Sequence, residues 1–254
     1  MWGVILEKAI AKLSGNYAHL HGGEPRESAR TLSGSPSIMY NHHGNLGKSI
    51  DFIWEELLRH DVNNEMMFYQ TPEGSGNGYR LDSCGLRIGH AYVVLEAFEL
   101  STGAKIIKLR DPWGIDRYHC DYSDDSDLWT AQTRAEAGIF PSIEGIIFLD
   151  LETYHKHGAT TVISFDTSEW YSDHFLMLDD QTYNPGTWSW CGKTCTRHEI
   201  DITSSVDQEV YVTAHTWEKR SYPKECILRE TEKKPHSIYR KGDRNVVLFK
   251  DGVQ

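Results

Sequence analysis

The sequence predicts an α+β protein: helices with an antiparallel sheet over residues 1–157, followed by an all-β sandwich over 158–254. Three observations carry that expectation. Apolar residues recur at helical spacing in the first sixty positions, two β-rich runs flank a tight turn between 91 and 110, and short β-branched and aromatic runs follow Tyr154. A chain of 254 residues also exceeds the usual size of one domain, which favours two.

Trp2, Ile5, Leu6, Ala9, Ile10 and Leu13 form one apolar stripe with Glu7, Lys8 and Lys12 between them, an amphipathic helix that Gly15 and Asn16 stop. Gly22-Gly23-Glu24-Pro25 reads as a loop leading into a short helix around Ser28 to Thr31. Ile50, Ile53, Trp54, Leu57 and Leu58 mark another helix, over Lys48 to Arg59, whereas Thr71 to Tyr79 is too rich in Gly, Ser and Asn to be anything but a loop. Ala91 to Phe98 and Lys105 to Arg110, separated by Ser101-Thr102-Gly103, predict two antiparallel strands, and Glu144 to Asp150 a third. Thr160 to Phe165, His174 to Leu178, Glu209 to His215, Ser237 to Tyr239 and Asn245 to Phe249 are the strands expected of the sandwich.

The balance of 26 Lys and Arg against 37 Asp and Glu leaves a net charge of −11, which repels phosphate backbones and anionic lipid and removes nucleic acid from the expected partners. No leader-like start and no long apolar span occur, so a cytoplasmic location without a transmembrane segment is expected. The five cysteines, Cys84, Cys120, Cys191, Cys195 and Cys226, are scattered and are expected to be reduced. Cys191 and Cys195 have the spacing of half a zinc site, but no second pair completes it.

Chemistry is concentrated in two blocks. Gly89-His90-Ala91-Tyr92 opens one expected strand and Arg110-Asp111-Pro112-Trp113-Gly114 closes the next, a separation that brings both ends to the same sheet edge. A carboxylate that accepts one imidazole N–H fixes the tautomer and leaves the other nitrogen free to exchange a proton with a nucleophile. Trp113 can shield the pair from water. By themselves these residues are better read as a half-buried sheet histidine, an ordinary proline turn and a core-filling tryptophan.

The order of the blocks resembles the calpain family of papain-like, Ca2+-dependent cysteine peptidases. Leu6-Glu7-Lys8-Ala9, Ala11-Lys12-Leu13, Gly15-Asn16-Tyr17, Gly22-Gly23 and Leu32-Ser33-Gly34 are similar to its opening segments. Gly85-Leu86 through Gly89-His90-Ala91-Tyr92 is similar to its catalytic-histidine block, Leu109-Arg110-Asp111-Pro112-Trp113-Gly114 to its catalytic-asparagine block, and Tyr122-Ser123-Asp124 through Leu128-Trp129 to the segment that follows. The resemblance implies a second protease half over 1–157 with His90 as proton carrier and Asp111 in place of the orienting asparagine, then a calpain-type β-sandwich. It implies Ca2+ as well, at an altered site: Asp124 and Glu144 match ligand positions, while Arg117, with Asp116 beside it, and Ser142 stand where further carboxylates are expected; a solvated acidic loop from Asp121 to Asp127 is the equal alternative.

The family's nucleophilic cysteine belongs to a half-domain expected to precede Trp2, and none of the five cysteines is a persuasive substitute. The expected function is therefore a calpain-like intracellular cysteine endopeptidase acting on protein substrates, inactive as this chain alone and completed by a separate or upstream Cys-bearing protease half. The alternative is a non-catalytic binding or regulatory module derived from a calpain. The remaining histidines, His42-His43 and His19 with His21 among them, read as solvated loop residues, and the aromatic-rich stretch from Tyr183 to Trp190 receives no role.

Overall fold

A computed structural model of the protein describes residues 2–20, 22–74, 79–139, 145–171 and 211. In chain order these form α1 (Trp2–Leu13), a 3-10 turn (Tyr17–Leu20), α2 (Pro25–Ser33), β1 (Ser37–Asn41), α3 (Ile50–Val62), β2 (Met66–Gln70), β3 (Ala91–Glu99), β4 (Lys105–Arg110), α4 (Ala131–Glu136), β5 (Ile146–Asp150), α5 (Leu151–His157) and β6 (Thr160–Ser164). Described residues 2–166 make one compact unit. Residues 167–171 and 211 belong to a second, within which Trp170 and Tyr211 stack at 5.3 Å.

The strands form one six-stranded sheet in the order β1-β6-β2-β3-β4-β5, every neighbouring pair antiparallel. The β3–β4 hairpin and the strand ending at Asp150 lie where the apolar patterning places them, and α1, α2 and α3 likewise. Local chemistry sets the ends of α3: the Ser49 hydroxyl accepts the Phe52 N–H at 3.2 Å, starting the helix two residues after Lys48. Along β3 the buried positions run Tyr92, Val94, then Ala97, because a register shift between Val94 and Glu96 moves the inward phase by one residue.

One corrected expectation concerns β6. Placed beyond a boundary at 157 by its β-branched composition, Thr160–Ser164 instead lies between β1 and β2, with Thr161, Val162, Ile163 and Ser164 almost completely buried. A five-residue β-branched run fits the centre of any sheet, and nothing local to it specifies which strands it pairs with. The other expected sandwich strands lie, Tyr211 apart, outside the described residues.

Two hydrophobic clusters hold the sheet. The larger joins Ile53 and Leu57 of α3 and Tyr154 of α5 to Tyr69, Leu109 and Leu149. On the other face Ile106, Ile146 and Phe148 pack with Trp129 and Ala137. Trp129 also donates its indole N–H to the carbonyls of Tyr122 (3.2 Å) and Ser123 (3.0 Å), tying down the loop after the Trp113 turn. By contrast α1 buries only Ala11, and its Trp2, Ile5 and Leu13 face outward. No helix among the described residues is long and apolar enough to cross a membrane.

Candidate active site

The site sits where β2, β3 and β4 end together. His90 immediately precedes β3 and Asp111 immediately follows β4, so hairpin pairing alone brings them to one edge. Thr71, the residue after β2, ties this edge together: its N–H donates to the His90 carbonyl (3.0 Å), and its hydroxyl accepts the His90 N–H (3.0 Å) and donates to the Arg87 carbonyl (2.5 Å). The backbone N–H of Asp111 donates to the Gly145 carbonyl at 2.7 Å. Gly145 has φ 81°, and a Cβ there would stand 2.8 Å from the Gly114 Cα, so the approach of the two turns requires glycine.

His90 Nε2 lies 3.0 Å from Asp111 Oδ1. The same oxygen accepts the Trp113 N–H at 2.9 Å, and Oδ2 accepts the Arg87 Nε–H at 2.9 Å. Asp111 is only 1% exposed, and that desolvation pushes its carboxyl pKa upward. The hydrogen bonds from His90, the Trp113 N–H and Arg87 outweigh it and leave the group below the ordinary carboxylate value. An ionised Asp111 makes Nε2 the protonated nitrogen of a neutral His90 and leaves the Nδ1 lone pair as the basic position.

Aromatic rings frame the imidazole. Trp113 meets it edge-on at 5.1 Å and Tyr92 at 4.9 Å, and the Arg87 guanidinium lies 4.3 Å from the Trp113 ring centroid. The buried Tyr92 hydroxyl accepts the Arg87 N–H at 2.8 Å, and burial pushes its phenol far above the ordinary tyrosine range. On the outer side Trp113 (42% exposed), Tyr79 and Ile115 are exposed, and Tyr79 packs on Trp113 at 5.3 Å. This is the apolar rim expected of a cleft wall.

Sequence reasoning brought His90, Asp111 and Trp113 together and missed Arg87 and Thr71. The signal for Arg87 was a cation three residues before His90 combined with a carboxylate where the family pattern has an amide. The expectation of reduced thiols is corrected for one pair: Cys84 and Cys120, 36 residues apart, are joined by a disulfide. Their loops run side by side, an adjacency that composition could not reveal, and neither sulfur can serve His90 as a nucleophile. His42 is likewise corrected from a solvated loop residue. It is buried, with Nε2 2.8 Å from the Thr161 hydroxyl and its ring stacked on His155, and burial pushes its pKa down to about 4.

Of the residues proposed for calcium, Asp124 is exposed in the loop after the Trp113 turn, and Glu144 and Ser142 lie outside the described residues. Burial, reinforced by the charges of Asp124 and Asp111, raises the Asp116 carboxyl to about 6, although it accepts the Tyr118 N–H. Among the described residues no three His, Cys, Asp or Glu side chains gather as a metal site would require.

A family model for calpain family cysteine proteases matches residues 1–164. Human (Homo sapiens) calpain-14 is 28% identical over 195 residues, covering 74% of this chain and 27% of its own length. Calpain-type cysteine protease DEK1 of Zea mays is 29% identical over 162 residues, 62% of this chain and 7% of the relative. Human calpain-12 is 27% identical over 168 residues, 64% of this chain and 22% of the relative. The chain thus spans no more than 27% of the length of these relatives.

Proposed function

Because the chain belongs to the calpain family of cysteine proteases, we propose that residues 2–166 form the histidine-bearing wall of a thiol-endopeptidase site. His90 is its proton carrier, and Asp111, neutralised by Arg87, is the acceptor that orients it. The observation that carries this reading is the Asp111 carboxylate shared between His90 Nε2 and Arg87 Nε.

In this reading His90 Nδ1 takes the proton of a cysteine thiol, the thiolate attacks a peptide carbonyl, and the imidazolium returns the proton to the departing amine. A bare aspartate in place of the family's asparagine would hold the imidazolium too firmly. Arg87 offsets that charge, so the Asp111–Arg87 pair acts towards His90 much as a neutral amide would. Trp113, Tyr79 and Ile115 supply the apolar wall against which an extended protein substrate or the opposite cleft wall packs.

The thiol comes from outside the described residues, since Cys84 and Cys120 are bonded to each other. That bond favours the second reading, a non-catalytic binding or regulatory module, only for the chain acting alone. The remainder of the proposal is a β-sandwich after residue 166, a cytoplasmic setting and calcium as regulator; no catalytic step is routed through the ion.

The test assays cleavage of an unstructured fluorogenic peptide by the polypeptide or complex that pairs this chain with a Cys-bearing protease half. Cleavage should be blocked by an epoxide thiol inhibitor and fall about 1,000-fold or more in His90→Ala, while 1–254 alone shows none. Cleavage unaffected by either the inhibitor or the substitution would overturn the peptidase reading.

A further inference from the structure

A second histidine–carboxylate pair lies away from His90. His157, the last residue of α5, directs Nδ1 to Asp82 Oδ2 at 2.7 Å, and its Nε2 lies 3.7 Å from Cys84 Sγ, one sulfur of the Cys84–Cys120 disulfide. Asp82 is itself fixed, because its Oδ1 accepts the backbone N–H groups of Cys84 (2.8 Å) and Leu86 (2.9 Å). The sulfur, imidazole and carboxylate stand in the order that elsewhere stabilises a thiolate: the carboxylate orients the ring, and the ring's other nitrogen faces sulfur.

The two sulfurs are not equivalent. Cys84 is 7% exposed and sits against His157, whereas Cys120 is only half-buried. His157 and Asp82 also line a cavity of about 350 Å3 with Arg80 and Lys156, through which the imidazole can exchange a proton with solvent.

We propose that Cys84–Cys120 is a reducible disulfide opened by attack of a small dithiol on Cys120, with His157 stabilising Cys84 as the departing thiolate. The incoming thiolate forms a bond to Cys120 Sγ, the Cys84–Cys120 bond breaks, and its electron pair passes to Cys84 Sγ, which takes a proton from the His157 imidazolium. The second thiol of the dithiol then attacks its own mixed disulfide, releasing Cys120 as a thiolate that is protonated by water. The dithiol is oxidised to a disulfide and the protein gains two electrons.

What the bond holds gives the chemistry a consequence. The turn from Leu81 to Arg87 is pinned to the 117–120 segment by the disulfide, by the His119 N–H donating to the Cys84 carbonyl (3.0 Å), and by the approach of Gly85 to the Arg117 carbonyl, which a Cβ would meet at 1.9 Å. That turn supplies Arg87 to Asp111. In a reducing compartment a disulfide of this kind is characteristically transient or redox-sensing.

The test needs no peptidase activity. Oxidised full chain is reduced with dithiothreitol at fixed pH, quenched with N-ethylmaleimide at intervals and resolved by mass spectrometry. His157→Gln should be reduced roughly 3- to 10-fold more slowly than wild type, since the leaving thiolate has lost its partner; equal rates overturn the proposal. With glutathione as a monothiol, the first mixed disulfide on the wild-type chain should map to Cys120, and an adduct mapping to Cys84 overturns it even if His157→Gln fails to fold. Air-purified chain in which both residues react with maleimide without prior reduction also overturns it.

Discussion

Of the histidine–carboxylate pairs in this unit, His90–Asp111 and His157–Asp82 differ in what surrounds them, and that gives each a different chemistry. His90 and Asp111 stand at the ends of neighbouring strands, with a guanidinium on the far carboxylate oxygen and the imidazole's Nδ1 turned from its acceptor. His157 and Asp82 join a helix end to a turn, and there the other imidazole nitrogen faces a disulfide sulfur. The carboxylate does the same thing in both places, fixing a tautomer. The third group decides whether the pair can serve an external thiol or only the sulfur already beside it.

The largest expected effect breaks the comparison at the Asp111 side. Asp111→Ala strands a buried Arg87 and leaves His90 without an acceptor. It should lower chain stability by about 3–5 kcal/mol by urea unfolding and, in a complete enzyme, reduce kcat by about 100-fold or more.

Asp111→Asn and Arg87→Leu sharpen the same point. Each single change leaves a buried charge or acceptor uncompensated and should lower stability by about 2–3 kcal/mol, whereas Arg87→Leu combined with Asp111→Asn should lose clearly less than the sum. Additive losses in that cycle would mean that Arg87 does not neutralise Asp111.

Acid sensitivity separates two further sites. The Asp111 carboxyl is depressed in the folded state, so the stability it gives is present above the ordinary carboxylate value and is lost as pH falls through the depressed one. His42 acts over a higher window. Its folded pKa of about 4 lies below the unfolded 6.5, so the unfolded state binds the extra proton between those values. Stability is therefore undiminished above 6.5 and falls towards pH 4 by roughly 3 kcal/mol. Urea midpoints measured from pH 7.5 to 4 should show this slope in wild type and a flatter one in His42→Gln.

The smallest effect is expected on the rim. Tyr79→Ala, at an exposed ring resting on Trp113, should change stability by under about 0.5 kcal/mol.

Much of the candidate site was legible because it depends on local order. A strand, a tight turn and a second strand bring residues at their two ends together whatever the rest of the chain does, so His90 and Asp111 could be paired on paper. Arg87 was harder to place: the only hint was a cation three residues before His90, and it reaches Asp111 through a turn whose position is set by a disulfide and by a close glycine approach. The sheet was legible at β3, β4 and β5 but not at β1 or β2. Ser37–Asn41 and Met66–Gln70 are five residues each, with Ile38 their sole β-branched residue, and pairing makes strands of them: β1 with β6, and β2 with β6 and β3. Short α5 escaped for a related reason: its start depends on the Asp150 side chain accepting the Thr153 N–H at 2.8 Å.

The central claim, that an ionised Asp111 orients His90 and leaves Nδ1 as the base, is tested most directly by 15N NMR of the His90 imidazole in the chain held at mildly alkaline pH. The account predicts the tautomer protonated on Nε2, with that N–H protected by its hydrogen bond to Asp111. A His90 protonated on Nδ1, or averaging freely between the two tautomers, would contradict it.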